Sequence, residues 1–108
     1  MLETELPVIN PTAEDAHWRT SFKREPYYKP DLGFDDYGPA YRVGYTAPVR
    51  RRGNFSAIEA ALHDDWQQVK GRSRLTWEEA REAARAAWQH AVQGSLQSAG
   101  QPPRNITS

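Results

Sequence analysis

Phe55-Ser56-Ala57-Ile58-Glu59-Ala60-Ala61-Leu62-His63-Asp64-Asp65-Trp66-Gln67-Gln68-Val69, the link Lys70-Gly71-Arg72-Ser73-Arg74, and Leu75-Thr76-Trp77-Glu78-Glu79-Ala80-Arg81-Glu82-Ala83-Ala84-Arg85-Ala86-Ala87-Trp88-Gln89-His90-Ala91-Val92-Gln93-Gly94 decide the fold class. Ser56 with Glu59 has the spacing of a capping box, and Phe55 is placed to staple onto Ala60. Ile58, Leu62 and Val69 mark an apolar stripe at helical spacing, flanked by Ala61 and Trp66. Thr76 with Glu79 repeats the capping box, and Trp77, Ala80, Ala84, Trp88 and Ala91 fall within one arc of the helix that follows. Gly94 is a natural C-terminal cap. The link is short, so the second helix returns antiparallel to the first. This predicts a C-terminal helical hairpin, 56–69 against 76–93, and an all-α fold.

Upstream, the pattern weakens. A first helix is predicted from Thr12, with Asp15 three residues on, Trp18 and Phe22 on one face, and Pro26 as its stop. Residues 23–36 read as a loop punctuated by Pro26, Pro30 and Gly33, with Tyr27, Tyr28, Leu32 and Phe34 to pin it. A short helix capped by Asp35 or Asp36 follows, with Pro39 in its first turn and Tyr37, Tyr41 and Tyr45 along one side. Gly44 weakens this helix, Pro48 stops it, and Arg50-Arg51-Arg52-Gly53 makes a basic turn. The domain so defined covers 12–94, between an arm over 1–11 and a polar, proline-broken tail over 95–108 that is expected to be disordered.

With 108 residues the chain has room for one domain. Its mean hydropathy is -0.86, and no apolar run approaches the roughly 18 residues of a membrane helix. The acidic start Met1-Leu2-Glu3-Thr4-Glu5 lacks the basic, then apolar, pattern of a secretory signal. There is no cysteine, so disulfides and thiolate chemistry are excluded and a cytoplasmic location is the default. Aliphatic residues are sparse, whereas all four Trp, five Tyr and three Phe fall between Trp18 and Trp88. The expected core is therefore one of aromatic rings with alanine between the helices.

Candidate chemistry is thin. Glu14-x-x-His17 places a carboxylate and an imidazole on one helix face, and His63 and His90 lie near acids. Di-iron bundles need two such motifs and two further glutamates, so no metal or other cofactor is predicted, although a metal-binding role remains the most remote alternative. Asp65 falls inside the apolar arc of its helix and needs a donor there. Arg81 and Arg85, or Arg42, are the expected partners, in a structural ion pair. Phosphate loops, dinucleotide fingerprints and nucleophile elbows are absent, and the chain reads as non-enzymatic, with no catalytic residues.

A binding role fits the composition better. Arg50, Arg51 and Arg52, with Lys70, Arg72 and Arg74, form a candidate basic edge, and Tyr41, Tyr45 or Trp66 are candidate platforms beside it. Partner-binding residues are accordingly placed at Arg50, Arg51, Arg52, Arg72, Arg74, Tyr41 and Tyr45. The partner is a protein or a second copy of the chain. Nucleic acid or another acidic partner is the alternative, which the zero formal net charge disfavours. No membrane insertion is expected.

The ordered series His17-Trp18-Arg19, Tyr27-Tyr28, Phe34-Asp35-Asp36-Tyr37-Gly38-Pro39-Ala40-Tyr41-Arg42, Gly44-Tyr45, Phe55, Leu62, Asp64-Asp65-Trp66 and Ser73-Arg74-Leu75 through Trp77 to Ala87-Trp88 resembles an uncharacterised family of small bacterial proteins. It also resembles C-terminal segments of larger proteins, a group sometimes linked with stress responses. The likeness covers roughly residues 14–91. It implies a bacterial cytoplasmic accessory protein with a stress link, and it transfers no catalytic residue.

Overall fold

A computed structural model describes residues 9–100, with side chains as far as Gly94. The described chain is all-α: α1 (Pro11–Ser21), a 3-10 turn (Phe22–Arg24), α2 (Phe34–Arg50), α3 (Phe55–Val69) and α4 (Trp77–Gly100). Among the described residues there is no strand, and no helix is long and apolar enough to cross a membrane.

Local chemistry sets the helix starts, and at α1 and α3 the cap differs from the sequence expectation. Asn10, not Thr12, caps α1. Its Oδ1 accepts the Ala13 N–H at 3.1 Å, and Pro11 occupies the first helical position, where its missing N–H has no partner to lose. Asn54, not Ser56, caps α3, accepting the Ala57 N–H at 2.9 Å. Gly53, at φ 114, delivers the chain into that cap through a backbone region that favours glycine. The capping box at α4 is as expected: Glu79 Oε1 accepts the Thr76 N–H at 3.0 Å, and Thr76 Oγ1 accepts the Glu79 N–H at 3.3 Å.

The largest difference concerns α2, which is a long central helix and not a short outer one. Asp36, Tyr37, Ala40, Tyr41, Val43, Gly44, Tyr45 and Ala47 are all buried. Pro48 lies within its last turn and does not stop it, since a proline deletes only the bond from its own nitrogen and the Arg51 N–H still reaches the Ala47 carbonyl at 2.8 Å. Pro39 likewise sits inside the helix, beyond its first turn.

Helix α4 lies most closely on α2, where the sequence pairs it with α3. The alanines of α4, Ala80, Ala83, Ala84, Ala87 and Ala91, are at most 2% exposed, and Ala84 and Ala87 face Gly44, one of two glycines in α2. A Cβ on Gly44 would sit 2.1 Å from the Ala84 carbonyl oxygen and 2.9 Å from the Ala87 Cβ. Glycine is there because two backbones meet. Helix α3 reaches α4 through long side chains instead, Trp66 on Trp77 with ring centroids 5.6 Å apart and Phe55 on Trp88 at 5.9 Å. Gly94 is no terminus either: its φ is not positive and α4 runs on to Gly100.

Rings hold the remainder together. Trp18 of α1 stacks on Tyr41 of α2 at 4.5 Å, and Phe22 meets Tyr28, Phe34 and Tyr37 at 5.4, 5.5 and 5.8 Å. Tyr27 and Tyr41 share a hydroxyl–hydroxyl hydrogen bond of 2.9 Å, and the Tyr37 hydroxyl accepts the Lys29 N–H at 3.0 Å. These bonds pin the connection before α2 to its face. Of the expected arm over 1–11, Ile9 packs against this core; residues 1–8 and 101–108 lie outside the described residues.

Candidate protein-interaction surface

The expected basic edge does not assemble. Arg51 caps the C-terminal end of α2, whereas Arg74 is held at Asp36 in the first turn of the same helix, about 22 Å away at the helical rise. Two of the arginines are also engaged internally. Arg51 makes a two-pronged pair with Asp65, Nη2 to Oδ1 at 3.0 Å and Nε to Oδ2 at 3.1 Å. Arg74 makes another with Asp36, Nη2 to Oδ2 at 2.8 Å and Nε to Oδ1 at 3.2 Å. Tyr41 and Tyr45 are buried, at 0% and 4% exposure, and belong to the core. Burial and the contact with Tyr41 push the Tyr27 phenol far up, and burial does the same to the Tyr41 phenol. Trp66, at 3%, is equally enclosed.

The ion pair expected of Asp65 exists with a different donor. Arg51 provides it, because the C-terminal end of α2 lies beside α3. Arg81 instead pairs with Glu59, whose carboxyl it holds below its usual range. Arg85 lies over the Phe55 ring at 5.9 Å. Arg50, Arg52 and Arg72 are exposed, and no ion pair among the described residues engages them.

A groove between α2 and α3 has no counterpart in the sequence expectation. It encloses about 200 Å³. Pro39, Arg42, Val43, Thr46 and Arg50 of α2 form one wall. Asp65, Gln68 and Val69 of α3 form the other. Val69 and Val49, at 54% and 46%, are the large hydrophobic side chains exposed among the described residues. Val69 lines the groove, and Val49 shares the outer face of α2 with Arg42 and Thr46, seven and three residues away. The groove therefore combines unshielded aliphatic surface with guanidinium groups, while the one carboxylate among its described lining residues is already neutralised by Arg51.

The histidines form a smaller cluster. His17 of α1 and His90 of α4 stack at 4.1 Å and 11°, and His90 Nδ1 lies 2.9 Å from Glu14 Oε1. His63 is elsewhere, stacked on Trp77 at 4.8 Å. Among the described residues no group of three or more His, Cys, Asp or Glu is arranged to hold a metal ion. Desolvation, then the neighbouring His90, lowers the His17 pKa from 6.5, while Glu14 and Glu25 oppose the shift and Arg24 adds to it. A lowered folded-state value means that the unfolded chain takes the proton first, so this contribution to stability is intact above 6.5 and is lost as pH falls below it. The urea midpoint is expected to drop between about pH 7.5 and about pH 5.5, and His17→Phe, which keeps a ring on His90, is expected to flatten that step.

The chain matches no family model, no curated protein and no solved structure.

Proposed function

We propose that the protein is a non-enzymatic protein-interaction module, a bacterial cytoplasmic accessory protein with a stress link, acting through a protein partner or a second copy of itself. The groove between α2 and α3 carries this reading. It presents Val69, with Val49 exposed nearby on α2, at the surface of a protein whose other large apolar side chains, where described, are wholly or partly enclosed, and uncovered aliphatic surface rimmed by arginine is the composition of protein interfaces. The series Trp18, Tyr41, Trp66 and Trp88 supports the bacterial and stress-linked part of the reading through the family it resembles.

Cross-linked pull-down from the native cell tests it. The native chain is expected to recover a specific companion that the double variant Arg50→Glu, Val69→Lys loses. Recovery of the chain alone, with cross-links through the groove, identifies the partner as a second copy. A companion retained in full by the double variant overturns the assignment to this surface.

A further inference from the structure

Resting on that interaction reading, we infer that the groove takes an acidic, aliphatic segment of a partner protein. Arg42 and Arg50 stand eight residues apart on one face of α2, about 12 Å along the axis. Thr46 lies between them and Val43 beside them. Arg42 is 51% exposed, and its contact with Asp15 is loose, 3.7 Å from Nε to Oδ1. Arg50 has no ion-pair partner among the described residues. Across the groove Val69 supplies the apolar surface and Gln68 an amide that both donates and accepts.

The charge balance selects the occupant. Among the described residues Asp65 is the only carboxylate lining the groove, and both its oxygens accept from Arg51. The site thus offers two guanidinium groups and no uncompensated negative charge. A basic segment would meet like charge on the α2 wall. A purely aliphatic one would cover the arginine heads without pairing them. A segment with two carboxylates about 12 Å apart pairs both arginines. That spacing is met by positions i and i+8 of a helix or i and i+4 of an extended strand. An aliphatic side chain between the carboxylates then reaches Val43 and Val69.

The test uses the full chain and three fluorescein-labelled peptides identical in leucine content, carrying glutamate, glutamine or lysine at the polar positions. The glutamate peptide is expected to bind, with affinity falling at least about fivefold between about 0.05 and 0.5 M salt, because exposed pairs are screened. The double variant Arg42→Glu, Arg50→Glu is expected to weaken it by about tenfold or more, and Val69→Lys by a similar factor. Arg85→Glu, on α4 beside Phe55 at the end of α3 away from Val69, is expected to leave binding unchanged. Equal binding of the glutamate and glutamine peptides, or no binding of either, overturns the acidic assignment. So does binding that appears only after residues 1–8 are deleted, because the chain's own acidic start is then the occupant. The broader reading fails separately. A native companion lost on Val69→Lys but kept by the arginine double variant preserves the interaction module and removes the acidic occupant.

Discussion

Gly44→Ala is expected to lower the stability of the fold by about 3 kcal/mol or more, the upper end of overpacking costs. On helix propensity alone the same change would stabilise α2 by up to about 1 kcal/mol. Sign therefore decides between a glycine tolerated in a helix and one required by a backbone contact. The new Cβ would lie 2.1 Å from the carbonyl oxygen of Ala84. That atom is backbone, so no rotamer change relieves the overlap and α4 must move away from α2. Moving it opens the layer of Ala80, Ala83, Ala84 and Ala87, each 0% exposed, and short side chains cannot bridge a widened gap. Gly94→Ala is the matched control, in the same class of backbone with nothing within 4 Å of the added carbon, and is expected to gain up to about 1 kcal/mol. Urea unfolding followed by circular dichroism reads both. A Gly44→Ala protein as stable as the parent would contradict the α2–α4 packing. For a small domain a loss of about 3 kcal/mol is a large part of total stability, so a substantial unfolded fraction without denaturant is within the expected result.

The same residue shows where sequence reading stops. Glycine inside a helical pattern carries a local penalty that can be read directly, but its reason is a partner helix forty residues away in the chain. The alanine face of α4 is legible from spacing, because Ala80, Ala84, Ala87 and Ala91 recur at helical period. Which helix it meets is not legible, since alanine accepts any neighbour small enough to approach. The Thr76–Glu79 box is legible because both of its hydrogen bonds close within three residues. The groove is hidden for a different reason. If Pro48 ends the helix, Arg50 falls in a turn, and the series Arg42, Thr46, Arg50 is cut before its spacing of four can be seen. Asp65 is recognisable as a carboxylate in need of a donor, but Arg51 is assigned to it only once α2 is known to run past Pro48.

Asp36 carries the second large effect, and here the chemistry is polar. The residue is 5% exposed, at the first turn of α2, and its carboxylate is surrounded by donors. Oδ2 accepts the Gly33 N–H at 3.1 Å and Arg74 Nη2 at 2.8 Å, and Oδ1 accepts the Arg74 backbone N–H at 2.9 Å. Its own carbonyl accepts the Ser73 hydroxyl at 2.6 Å. One side chain thus caps α2 and ties it to the link between α3 and α4. Asp36→Ala leaves two backbone N–H groups and a guanidinium without their acceptor, and a loss of about 2–3 kcal/mol is expected. Asp36→Asn is expected to cost nearly as much, because an amide presents N–H where the site presents N–H. The Arg74 side chain, chiefly, holds this carboxyl down to about 2. A depressed folded-state pKa means that the stabilisation is present above the ordinary value of 3.8 and is lost as pH falls toward about 2. The parent is therefore expected to shed stability between about pH 4 and about pH 2, and Asp36→Asn to lose this part of the decline. Arg74→Gln separates the two contributions: it removes the guanidinium but leaves the backbone bonds to Gly33 and Arg74, so it should shift the acid transition upward while costing less at neutral pH than Asp36→Ala. An acid profile of Asp36→Asn that overlays the parent's would show that this carboxylate does not tie α2 to the link.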